Sequence, residues 1–174
     1  TISAGTFNAG TTTTFGNAST DTFTLSGTGT LNAANTVPFT ADATVSGGTF
    51  AGGSATLDFN DDFTLSGGTF TSTSGTASFA LGFTISGTPT FNHNSGTVRF
   101  DTSAATITPS TATFNNVSFT SAVIKTIANS QTLTVAGTLT LTDGSIDQTT
   151  IPSAGTIELQ IGNSAGNISH ASTF

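Results

Sequence analysis

The chain has 174 residues, of which only 6% are charged, with 2 Lys or Arg against 9 Asp or Glu and a net charge of −7. So few cations exclude the basic footprint that nucleic-acid binding needs and electrostatic attraction to anionic membranes; no apolar run reaches the roughly 20 residues that insert across a bilayer as a helix. Cys is absent, which excludes disulfide staples and thiolate metal sites.

Thr is the commonest residue and is β-branched, which suits a pleated strand. Helix-forming residues are scarce, so little or no helix is expected. The 15 Phe are regularly spaced, and burying each is worth roughly 1.5–3 kcal/mol. A regular apolar column of this kind argues against a disordered low-complexity segment.

In chain order, Phe23-Thr-Leu-Ser-Gly, Ala43-Thr-Val-Ser-Gly, Phe63-Thr-Leu-Ser-Gly and Phe83-Thr-Ile-Ser-Gly are copies of one phrase. The apolar residues fall into three columns. The first is Ile2, Leu25, Val45, Leu65, Ile85 and Ile107. The second is Phe7, Leu31, Phe50, Phe70, Phe91 and Phe114. The third is Phe15, Phe39, Phe59, Phe79, Phe100 and Phe119. Turn formers lie between columns and small polar residues alternate with apolar ones within them, the signature of short half-buried strands. Three such strands per repeat predict an all-β fold: a parallel β-solenoid (β-helix) with rungs of about 20 residues. A β-sandwich is the alternative. Residues 1–122 form the Phe-column rungs. Residues 123–174 continue as Ile/Leu/Val-rich β rungs, as in Thr132-Leu-Thr-Val-Ala-Gly-Thr-Leu-Thr-Leu141, and are a candidate assembly segment.

Asn94-Ser-Gly-Thr-Val-Arg-Phe, Ala105-Thr-Ile-Thr, Thr113-Phe-Asn-Asn-Val-Ser-Phe119 and the Thr132–Leu141 phrase, in this order, resemble the β-strand repeats of large bacterial cell-surface proteins and extracellular filaments or adhesins. The resemblance spans residues 20 to 150. It implies secretion to the cell surface, a solenoid-like fold and a structural role in adhesion, sheaths or filaments. It brings no catalytic residues and no cofactor.

Candidate sites are few. His93 and His170 accompany many Ser and Asp, but no Gly-x-Ser-x-Gly elbow surrounds a Ser, so a nucleophilic triad is not expected and the chain reads as a non-enzyme. Asp58, Asp61 and Asp62 are the densest acidic cluster; they are weak candidates for Ca²⁺, lacking EF-hand spacing, and read as solvated turn residues. Asp21, Asp42, Asp62 and Asp101 recur near one turn of successive rungs, which places them at a solvated corner. Asn17, Asn116 and Asn167 match the N-glycosylation pattern, and covalent glycans would help an almost uncharged surface stay soluble. Thr132, Thr134, Thr138, Thr140 and Thr142 would present one flat Thr face, a surface for ice or glycans.

An open solenoid end is a template for further strand pairing. Thr1-Ile-Ser-Ala-Gly-Thr-Phe7 already follows the repeat and Ile168-Ser-His-Ala-Ser-Thr-Phe174 stops in mid-rung. The expectation is either a window of a longer array or copies of the chain stacked head to tail, through Ile2 and Phe7 at one end and Ile168 and Phe174 at the other.

Overall fold

The computed structural model describes residues 1–11, 13–101, 103–120, 125–128, 130–142, 146–147 and 168–170. Its strands are, in chain order, β1 (Thr6–Ala9), β2 (Thr22–Leu25), β3 (Thr30–Ala33), β4 (Val37–Phe39), β5 (Asp42–Ala51), β6 (Leu57–Phe59), β7 (Phe63–Thr71), β8 (Thr76–Phe79), β9 (Phe83–Ile85) and β10 (Thr90–Asn92). They continue with β11 (Thr97–Phe100), β12 (Ala105–Thr108), β13 (Thr113–Phe114), β14 (Asn116–Phe119), β15 (Lys125–Ile127), β16 (Thr134–Val135), β17 (Leu139–Leu141), β18 (Ile146–Asp147) and β19 (Ile168–His170).

The chain is all-β, with no helix among the described residues. Parallel strands stack in about 6 turns, which makes a β-solenoid of roughly 20-residue rungs. Sandwich sheets are antiparallel, whereas here each strand pairs in parallel with the equivalent strand of the next rung, as Val37 with Leu57 and Leu57 with Ala77. The rest of the rung serves as the crossover that parallel pairing requires.

Three faces result. The first runs through β2, the start of β5 and of β7, then β9, β12, β15 and β18. The second runs through β1, β3, the ends of β5 and β7, and β10, and resumes as the separate pair β13 and β16. The third runs from β4 through β6, β8, β11, β14 and β17 to β19. On the middle rungs the first two faces join: β5 and β7 are single strands that turn the corner through an irregularity around Ser46.

Glycine makes that corner. Gly48 has φ +70°, and a Cβ there would run into the carbonyl oxygen of Gly29 one rung below. Gly27, Gly68 and Gly87 repeat the left-handed conformation on other rungs. Side chains rarely tolerate it, and stacked corners leave no room for one.

The third column forms as read, with Phe15, Phe39, Phe59, Phe79, Phe100 and Phe119 in register and Leu141 above them. Phe59 lies face to face with Phe39 at 4.6 Å and with Phe79 at 4.8 Å. The second column is in register from Phe7 to Phe91. Phe114 continues it by ring contact alone, its centroid 5.1 Å from that of Phe91. The first column needs a correction. Ile107 pairs with Phe83, not with Ile85, because the chain after Phe100 takes extra residues before β12 begins and slips the register by one inward position.

Two further inward columns escaped the sequence reading. Phe23, Ala43, Phe63, Phe83, Ile107 and Ile127 are one, and Val37, Leu57, Ala77, Val98, Val117 and Leu139 the other. Phe23 to Phe83 and Val37 to Val117 each stand two residues before a member of a recognised column, so the same period-2 alternation points to them; Ile107, read in the first column, joins the Phe23 column instead.

Candidate functional site

Among the described residues no strand pairs with the outer edge of the rung nearest Thr1. Ile2 donates its N–H to the Thr24 carbonyl at 2.8 Å, and Phe15 donates to Pro38 at 2.9 Å. Phe7 pairs with Leu31 and is 41% exposed, the one exposed large apolar side chain among the described residues. Ile2, Phe7 and Phe15 continue three inward columns, and each is packed on the side of the second rung. At the other end Ile168 of β19 pairs with Leu139, on the third face. Phe174 and Asn167 lie outside the described residues.

The outer surface of the second face carries a Thr ladder. Thr6, Thr30, Thr49, Thr69 and Thr90 stand in direct register, about 4.8 Å apart as parallel rungs are. Beside it run Asn8, Asn32, Ala51, Thr71 and Asn92, with Asn32 Nδ2 donating to Asn8 Oδ1 at 2.7 Å. A second ladder on the first face is Thr24, Thr44, Thr64, Thr84 and Thr108. The Thr face expected between Thr132 and Thr142 does not form. Thr134 pairs with Thr113 on the second face and Thr140 with Ser118 on the third. The turn at Ala136-Gly137 parts them, so a run of Thr along the chain is split over two faces, while Thr a whole rung apart align.

At the corner between the third and first faces, Asp62 Oδ1 accepts from the Gly82 N–H at 2.8 Å, and Asp61 Oδ1 accepts from the Asp62 N–H at 3.1 Å. Asp58 Oδ2 accepts from Asn60 Nδ2 at 3.3 Å. These carboxylates are occupied with corner backbone and neighbouring amides, and among the described residues no group of three His, Cys, Asp or Glu is placed to hold a metal ion. Asp42 lies a rung below Asp62; partial burial and then the charge of Asp61 raise its pKa above 3.8. Asp21 accepts the Asn17 N–H at 2.9 Å. Asp101 ends the third face instead, where its carboxylate lies 2.8 Å from Arg99 Nε, as an ion contact rather than an aligned hydrogen bond.

Near the same corner Lys125, 1% exposed, turns inward. Its ammonium donates to the carbonyls of Asp101 at 2.7 Å, Ala80 at 3.4 Å and Ser103. Burial pushes its pKa below 10.5, against the nearby Asp101 charge that raises it. Nothing in the sequence marked this lysine as interior, since the niche is built from carbonyls of earlier rungs.

His93 sits at the corner between the second and third faces, its Nδ1 accepting from the Ser95 N–H at 2.9 Å. His170 lies in β19. Asn17 is exposed. Asn116 is half-buried, with Oδ1 accepting the Thr138 N–H at 2.9 Å from the next rung.

Comparison with protein-family models, curated proteins and solved structures finds no match to this chain.

Proposed function

We propose that this chain is a structural subunit or segment of an extracellular bacterial filament, sheath or adhesin stalk, assembling by end-to-end β-stacking or strand donation. The observation that carries this reading is the Phe15-to-Phe119 column, in register on successive rungs. A continuous packed column joined by parallel ladders resists bending and stretching, as a load-bearing rod must. A further rung, from a preceding segment or from another copy, would pair with the backbone at Ile2, Phe7 and Phe15 and cover their apolar side chains.

Negative-stain imaging and light scattering over a concentration series test the reading. Rods that lengthen with concentration are expected, with Phe7→Glu halting growth. Monomers that stay dispersed at every concentration overturn it. Covalent glycans belong to the same proposal and require that peptides carrying Asn17, Asn116 or Asn167 from the natural host be heavier than their bare sequence.

A second reading rests on the uncharged Thr ladder from Thr6 to Thr90. A flat, evenly spaced row of hydroxyl and methyl groups suits ordered water, ice or a glycan surface. Thermal hysteresis that disappears in Thr49→Lys would favour it; unshaped ice growth would remove the ice arm.

A further inference from the structure

On the second face the ladder runs from β1 to β10 and breaks. Among the described residues no strand pairs with the outer edge of β10, and β13 pairs only onward, with β16. The cause is a change of corner. Below the break the turn is Ser86-Gly87, with Gly87 at φ +67°. Above it the turn is Pro109-Ser110, with Ser110 at φ 53° and its N–H donating to Gln131 Oε1 at 2.8 Å. The two corner types do not nest. A cleft of about 810 Å³ opens between them, lined among others by Ile85, Pro89, Phe91, His93, Thr111 and Thr113.

The broken ladder leaves backbone groups facing the cleft from both sides. The Asn92 carbonyl accepts from the Ser72 N–H at 2.8 Å, toward β7, so the alternate residue Phe91 points its N–H and C=O the other way, into the cleft. The Phe114 carbonyl accepts from Ala136 at 2.8 Å, toward β16, so Thr113 points its own pair back down. His93 Nδ1 is already an acceptor for Ser95, which leaves the proton of the neutral ring on Nε2 as a donor. The lining residues include no Asp, Glu, Lys or Arg.

We propose that this cleft binds a short neutral saccharide. Its volume lies within the roughly 300–1,000 Å³ of small-ligand sites. The absence of formal charge disfavours phosphates, carboxylates and amines. Hydroxyls both donate and accept, which matches the paired N–H and C=O groups of Phe91 and Thr113. The apolar face of a sugar ring suits Pro89 and the half-buried Phe91. An inserted peptide strand would pair with the same backbone groups and is the competing outcome of the test.

The test is amide NMR of the ¹⁵N-labelled chain titrated with cellotetraose, chitotetraose and mannotetraose, and separately with a Thr-rich extended peptide. Saturable shifts confined to residues 87–94 and 110–113 are expected with at least one tetrasaccharide. Thr111→Trp, at an exposed position that fills the cleft, should weaken binding about tenfold or more. His93→Ala provides a second, less intrusive loss, and Thr49→Trp on the outer ladder should leave affinity unchanged. Absence of shifts with all three sugars at millimolar concentration overturns the proposal, as do shifts spread along the Thr ladders or a response to the peptide alone.

Discussion

The Lys125 ammonium donates a 2.7 Å hydrogen bond to the Asp101 carbonyl and so ties β15 to the corner of an earlier rung. It is a buried cation held by backbone dipoles, with its charge opposed by burial and supported by the nearby carboxylate.

A lysine whose folded pKa is lowered binds its proton less tightly in the folded chain than in the unfolded one. Its favourable contribution is complete above 10.5 and is lost as pH falls through the folded value. Denaturant midpoints should therefore rise with pH from the folded value up to 10.5. Lys125→Met should flatten that rise and, by leaving the carbonyls of Ala80, Asp101 and Ser103 without a donor, cost about 1–3 kcal/mol at neutral pH. Urea titrations of both chains at several pH values check it.

Asp42 titrates with the opposite sign. Burial, followed by the charge of Asp61, raises its pKa above 3.8, so the folded chain holds this proton more tightly. The contribution is complete below 3.8 and is lost as pH rises through the folded value. Asp42→Asn should stabilise the chain at neutral pH by under about 1 kcal/mol, the scale of partly screened charges, with the advantage vanishing in acid. Thermal melts at neutral and acidic pH read the difference.

Phe59 is 1% exposed and stacked between Phe39 and Phe79. Phe59→Ala should cost about 3–5 kcal/mol, since the rings above and below are fixed by their own ladders and cannot collapse into the space. Phe59→Leu should cost less. Equilibrium denaturation separates the two.

Gly48 and Gly10 make a matched pair. An added Cβ on Gly48 meets the Gly29 carbonyl at φ +70°, while one on Gly10 meets nothing within 4 Å. Gly48→Ala should lose at least about 1–3 kcal/mol, the scale of a strained backbone, and Gly10→Ala should be near neutral. A Gly48→Ala chain as stable as the parent would mean that the corner does not stack as described.

The alternation of Phe and Thr, the Ser-Gly corners and the third column from Phe15 to Phe119 were legible in the sequence alone. Inward and outward side chains alternate within a strand, and a stacked fold repeats that local pattern at each rung. What only the tertiary structure decided depends on which rung lies above which. The extra residues before β12 carry Ile107 onto Phe83, and neither local phrase reveals that slip. The Thr ladders join residues a full rung apart, while the apparent Thr run from Thr132 to Thr142 is divided by a corner. Lys125 carries no sign in the sequence of the niche where the carbonyls of Ala80, Asp101 and Ser103 converge on it. Alternation is set by each strand's own backbone, but register and buried polar partners are set by pairing between distant segments.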